Sequence, residues 1–151
     1  MKKSLTGLVM GLILSASAFC EPAADPVSDK VRQSFQKEFE KATNITWMYQ
    51  KDKNVYHARF QYNGEMVEAF YDEEGSLIST ARFITENQLP IIVMRQMTNE
   101  YPGYTVRQVV EFTNESQTTY IVSSYNTKET LVVKYYTNGD SQRIKRIKNK
   151  F

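Results

Sequence analysis

The 151-residue chain has one cysteine, one histidine and one tryptophan, and only four prolines and six glycines. A single Cys20 cannot form an internal disulfide, so in an oxidising compartment the fold must stand on its core alone. A single His57 excludes a histidine-rich metal site and leaves one candidate for any Ser-His or Cys-His arrangement. The sequence has no glycine-rich phosphate loop and no nucleophile elbow, and the tight acidic cluster Asp72-Glu73-Glu74 lacks the further ligands that a calcium loop requires. No catalytic residue, cofactor or metal is therefore expected. Among the chemistries that remain, non-covalent binding is the one this composition serves best.

The first twenty residues stand apart. Lys2 and Lys3 form a basic start, Leu5 to Leu14 an apolar stretch too short to span a bilayer of ~30 Å as a helix, and Ala16-Ser17-Ala18 a small-residue cleavage site. Residues 1–18 read as a bacterial-type signal peptide, which implies a periplasmic or secreted protein with no membrane span. Cys20 stands where lipoproteins are acylated, but Phe19 occupies a position that such sites reserve for Gly, Ala or Ser, so a lipid anchor is not the expected outcome. Loss of Lys2 and Lys3 reduces the 19 basic residues to 17 against 17 acidic ones. A neutral mature chain gives no electrostatic reason to expect nucleic acid as a partner. The basic run Arg143 to Lys150 reads as an edge strand guarded by charge.

Residues 19–28 read as a flexible tether. After it, Ser28 is a candidate N-cap, and Val31, Phe35, Phe39 and Ala42 recur at helical spacing until Asn44. Ile45 to Tyr49 begins a strand. Val55 to Thr80 then alternates through two turns, Asn63-Gly64 and Asp72-Glu73-Glu74-Gly75, whose residues suit a type I′ hairpin and a type I turn closed by a left-handed glycine. The pattern repeats downstream: a helix through Leu89, Pro90, Val93, Met97 and Tyr101, followed by strands over 105–113, 118–125, 129–136 and 141–148. Val31 matches Val93, Tyr56 matches Tyr120, Asn63 matches Asn126, Tyr71 matches Tyr135 and Gly75 matches Gly139, at offsets of 62 to 64 residues. The expected fold is α+β, one domain over 29–148 built from two helix-plus-four-strand repeats, 29–85 and 86–148. These would share a continuous antiparallel sheet with both helices on one face.

Phe39 to Trp47 (FEKATNITW), Tyr56 and Phe60, and Gly64 to Gly75 (GEMVEAFYDEEG) carry a resemblance, joined by Leu89-Pro90, Tyr101 to Tyr104 and Tyr120. On these features the chain resembles the secreted PepSY-like proteins of the β-lactamase-inhibitor-like (BLIP-like) fold. The resemblance implies a tandem of such units with a concave sheet face, a periplasmic or secreted location and no established catalytic role. In the inhibitors that give the fold its name, the concave sheet clamps a target enzyme. Those inhibitors carry disulfides, which this chain lacks.

With Tyr56, Ala58 and Phe60 turned inward, alternation places His57, Arg59, Gln61, Met66, Glu68 and Phe70 on the opposite, solvent-facing side. This mixture of aromatic, cationic and amide groups suits a partner-binding surface. The expected partner is a protein or peptide of the cell envelope, a peptidase being one version. The alternative is a small-ligand or sensory module with a pocket between sheet and helix. Trp47 is assigned to packing.

Overall fold

A computed structural model describes residues 27–149. The expected signal peptide and most of the tether lie outside the described residues, as does Lys150. Among the described residues, eight strands form one antiparallel sheet in sequence order, accompanied by two α-helices. The first helix, α1 (Asp29–Glu38), precedes β1 (Thr43–Gln50), β2 (Val55–Tyr62), β3 (Glu65–Tyr71) and β4 (Leu77–Ile84). A short 3₁₀ turn (Glu86–Gln88) leads into α2 (Ile91–Glu100), which precedes β5 (Thr105–Asn114), β6 (Thr118–Tyr125), β7 (Glu129–Tyr136) and β8 (Ser141–Lys148).

Local chemistry accounts for most of these boundaries. The Ser28 hydroxyl accepts a hydrogen bond from the Val31 amide at 3.3 Å, capping α1 as its sequence suggests. The helix is shorter than expected, ending at Glu38 with Phe39 out of helical conformation, and Asn44 takes a left-handed φ of 54° within β1. Asn tolerates that conformation because its short amide bonds locally. Pro90 sits just before α2, rather than in its first turn. At the β2–β3 hairpin Asn63 and Gly64 have φ of 52° and 84°, the pair of left-handed residues that a type I′ turn needs. Gly75, at φ 87°, serves a second purpose: a Cβ there would meet the Lys30 carbonyl oxygen at 3.0 Å, so its bare backbone lets the β3–β4 turn approach α1.

Two apolar clusters tie the helices to the sheet. Val31 and Phe35 of α1 pack on Ala58, Phe60, Val67, Ala69 and Tyr71, with Phe39 and Trp47 closing the sides. Phe35 is the hub of an aromatic group: its ring lies 4.8 Å from Phe60 and 5.1 Å from Trp47, both edge-on. Edge-on geometry sets the positive rim of one ring against the negative face of the next. Trp47 thus has the packing role its sequence context suggested. In the second cluster Val93 of α2 joins Val109, Val122, Leu131, Val133 and Tyr135.

Polar ties complete the frame. The Tyr71 hydroxyl donates to Glu38 at 3.1 Å, and its pKa is pushed up first by burial and then by that carboxylate. Glu129, at the start of β7, accepts from Arg146 Nε at 2.6 Å and from the Tyr104 hydroxyl at 2.5 Å. Those two donors hold the Glu129 carboxyl below its ordinary value of 4.5. A carboxylate whose folded pKa is depressed contributes stability above the unfolded pKa and loses it as pH falls through the folded one. Glu129→Gln should therefore melt below wild type at pH 7, with the gap closing as the pH drops under about 4.5. Thermal melts of both proteins between pH 7 and pH 3 check this; a gap that stays constant would contradict it.

Candidate partner surface

Directly paired residues of neighbouring antiparallel strands point to the same side of a sheet. The register of β2 with β3 pairs His57 with Phe70, Arg59 with Glu68 and Gln61 with Met66, so all six residues singled out from the sequence share one face. Phe70 pairs in turn with Ser79, Glu68 with Ala81, and Ala81 with Phe112, whose partner is Thr119. Met48 of β1 pairs directly with His57 and so lies on the same face.

This face is not open in the way the alternation of β2 suggested. His57 is only 2% exposed, Phe70 is fully buried and Glu68 is buried, while Arg59 and Gln61 are exposed and Met66 is half-buried. His57 is therefore not a solvent-face histidine. Val109-Val110, Ile121-Val122 and Leu131-Val132-Val133 are apolar on consecutive positions, as in strands buried on both sides, so they put an apolar layer on each face. Val55, Phe70, Ala81, Val110, Phe112, Ile121 and Val132 form a third cluster, and every described residue in it or packed against it belongs to a strand.

Polar groups are set into that apolar floor. The His57 ring stacks on Phe70 with centroids 4.6 Å apart and planes 3° from parallel. Its Nε2 lies 3.3 Å from Glu68 Oε2, and the other Glu68 oxygen is 3.9 Å from Arg59 Nε. The first contact is within ion-pair range but lacks hydrogen-bond alignment. Both ring nitrogens of His57, Glu68 Oε2, Ser79 Oγ and Thr119 Oγ1 are buried without a hydrogen-bond partner among the described residues. Leaving such an atom unsatisfied costs about 1–3 kcal/mol, so a run of them on one face is a feature that needs a physical cause.

Among the described residues no three His, Cys, Asp or Glu side chains come together as a metal site. His57 contacts a carboxylate, and among the described residues no nucleophilic side chain is bonded to it. Ser79, Thr119 and Met48 were not singled out from the sequence, because only the strand registers bring them onto the face of His57. A cleft of about 300 Å³ lies at the end of α2, between Met94 and Met97 on the helix, Tyr101 and Tyr104 in the turn after it, and Val106 and Tyr135 on the sheet. No helix among the described residues is long and apolar enough to cross a membrane.

No protein-family model matches the chain, and no curated protein does. Solved structures do. A BLIP-like protein from Bacteroides fragilis superposes with a TM-score of 0.70 at 22% identity, over 85% of this chain and 92% of the other. A DUF2874 family protein from Bacteroides ovatus gives 0.69 at 18%, over 80% and 89%. A protein from Bacteroides eggerthii, with a provisional periplasmic label, gives 0.70 at 16%, over 82% and 90%. Nearly the whole of each neighbour is covered at low identity, so what the chain shares with them is the architecture: it has the BLIP-like fold.

Proposed function

We propose that this chain is a non-enzymatic, PepSY-like binding protein of the cell envelope, periplasmic or secreted, that engages a protein or peptide through its His57 face. The observation that carries the reading is the set of buried polar atoms without partners on that face, on His57, Glu68, Ser79 and Thr119. Those atoms, like Phe70 and Ala81, are closed to solvent in the unbound chain, so a peptide would reach them, and supply their missing donors and acceptors, only as the face opens to receive it. Arg59, Gln61 and Met66 form the accessible rim where an approaching partner is met first. A peptidase or another envelope enzyme, held in check by this contact, is the concrete version of the partner.

The same reading takes the chain as two copies of one unit, 29–85 and 86–148, with both helices on the side opposite His57. Support comes from matched detail at spacings of 62 to 64 residues. Phe39 and Tyr101 end their helices with nearly the same backbone angles, Gly75 packs on Lys30 as Gly139 packs on Ile92, and the carboxylates of Glu38 and Glu100 act on Tyr71 and Tyr135 respectively. The paired row Val67, Arg82, Glu111, Tyr120 and Tyr135 runs from the cluster under α1 to the cluster under α2 on a single sheet face.

Photo-crosslinking tests the surface. With a benzophenone side chain in place of Gln61, irradiation of intact cells of the source bacterium should give one dominant adduct. The same group at Ile91, 79% exposed on α2, should give none. Adducts at Ile91 with none at Gln61 would move the binding surface to the helical side. The alternative reading, a small-ligand or sensory module, draws on the cleft at the end of α2, whose volume is at the lower limit for small-molecule sites.

A further inference from the structure

The cleft at the end of α2 has walls of one chemical kind. Tyr101 and Tyr104 bring two rings with centroids 5.8 Å apart and planes 74° from parallel, and Tyr135 adds a third ring from β7. Met94 and Met97 contribute two thioethers from α2. Tyr135 is buried, but Met94, Met97, Tyr101 and Tyr104 are only half-buried, so the cleft is open to solvent. Among the described residues that line it, the exposed Glu86 is the one charged group, and no Lys, Arg or His is present.

The surroundings carry the same sign. The Glu100 carboxylate accepts from the neutral Gln96 and Ser141 side chains, and after burial it is the next cause that pushes the Tyr135 hydroxyl pKa up. Glu129, which accepts from the Tyr104 hydroxyl, is offset by Arg146 at 2.6 Å, so Glu86 and Glu100 supply the field. The face of a neutral aromatic ring is negative, and rings flanked by carboxylates attract a cation. The walls also select its kind. A primary ammonium is strongly hydrated and seeks an acceptor for each N–H, whereas a quaternary ammonium has no N–H to satisfy and lays its methyl groups on ring faces and thioethers. We propose that the cleft binds a small quaternary ammonium compound, its trimethylammonium group among Tyr101, Tyr104 and Tyr135 with Glu86 as counter-charge. The inference rests on the small-ligand reading of the cleft and uses no residue of the His57 face.

Titration of the purified chain with choline, followed by the ¹³C-labelled methyl groups of its methionines, tests it. Met94 and Met97 line the cleft and should shift, while Met48 and Met66 on the His57 face should stay in place. The neutral carbon isostere of choline, 3,3-dimethylbutanol, should bind about tenfold more weakly, the worth of a desolvated cation–π contact. Ethanolamine, which keeps the charge without the methyl groups, should also bind about tenfold more weakly. Tyr101→Leu should lower choline affinity about tenfold and Tyr101→Phe should keep it. Glu86→Gln, at an exposed position, should lower it about threefold at low salt and less as salt is raised. Equal affinity for choline and its carbon isostere would overturn the cation assignment while leaving a cleft that takes neutral molecules. Ethanolamine binding as tightly as choline, or unchanged affinity in Tyr101→Leu, would overturn the quaternary class. No shift of Met94 and Met97 with any of the three compounds would remove the small-ligand reading together with the proposal. Crosslinking at Gln61 reports the protein partner separately.

Discussion

Phe35→Ala should lower the melting temperature by about 10–20 °C, the largest effect expected from a single substitution in the helix-to-sheet layer. Phe35 is 2% exposed, and its ring meets Phe39, Trp47, Phe60 and Tyr71. Truncation removes the buried ring and leaves a cavity that Phe60 and Tyr71, fixed on adjacent strands, cannot collapse into, at a cost of about 3–5 kcal/mol. The only tryptophan reports the change directly, since Trp47 is in edge contact with the deleted ring. Thermal melts followed by Trp47 fluorescence and by circular dichroism should therefore shift together. A shift seen by fluorescence alone would mean that α1 frays without unfolding the sheet.

Phe70→Ala should be about as damaging, also about 3–5 kcal/mol, although Phe70 faces away from Phe35. Phe70 is fully buried, stacks on His57 and belongs to the cluster made of strand residues. On an exposed binding face the same substitution would cost within about 0.5 kcal/mol, so urea unfolding of Phe70→Ala decides whether that face is a packed floor or an open surface. Its loss also frees the His57 ring beside Glu68. A small effect would return Phe70 to the accessible rim with Arg59 and Gln61.

Much of the fold was legible because its punctuation is chemical. Asn63-Gly64 and Gly75 adopt the left-handed backbone that their residue types announce, and Ser28 caps the helix it precedes. The placement of His57, Arg59, Gln61, Met66, Glu68 and Phe70 on one face follows from a strict period of two through a two-residue hairpin, where register has no freedom. The burial of that face was not legible from β2 and β3. Val110, Ile121 and Val132, which share the cluster of Phe70, lie forty or more residues away along the chain and join it only through the sheet. The unpartnered hydroxyls of Ser79 and Thr119 were hidden for the same reason, since a polar residue in a strand says nothing of its neighbours until registers are known. The early end of α1 is a different case, because Phe39 and Ala42 keep helical spacing while serving the core from a turn.

The most direct measurement of the His57 face as the binding surface uses methionine methyl groups. Met48 and Met66 sit on that face beside His57 and Gln61, whereas Met94 and Met97 line the cleft at the end of α2. In protein labelled with ¹³C at the methionine methyls, addition of the partner captured through Gln61 should shift or broaden Met48 and Met66 and leave Met94 and Met97 in place. Movement of Met94 and Met97 with Met48 and Met66 unchanged would contradict the assignment and place recognition in the cleft.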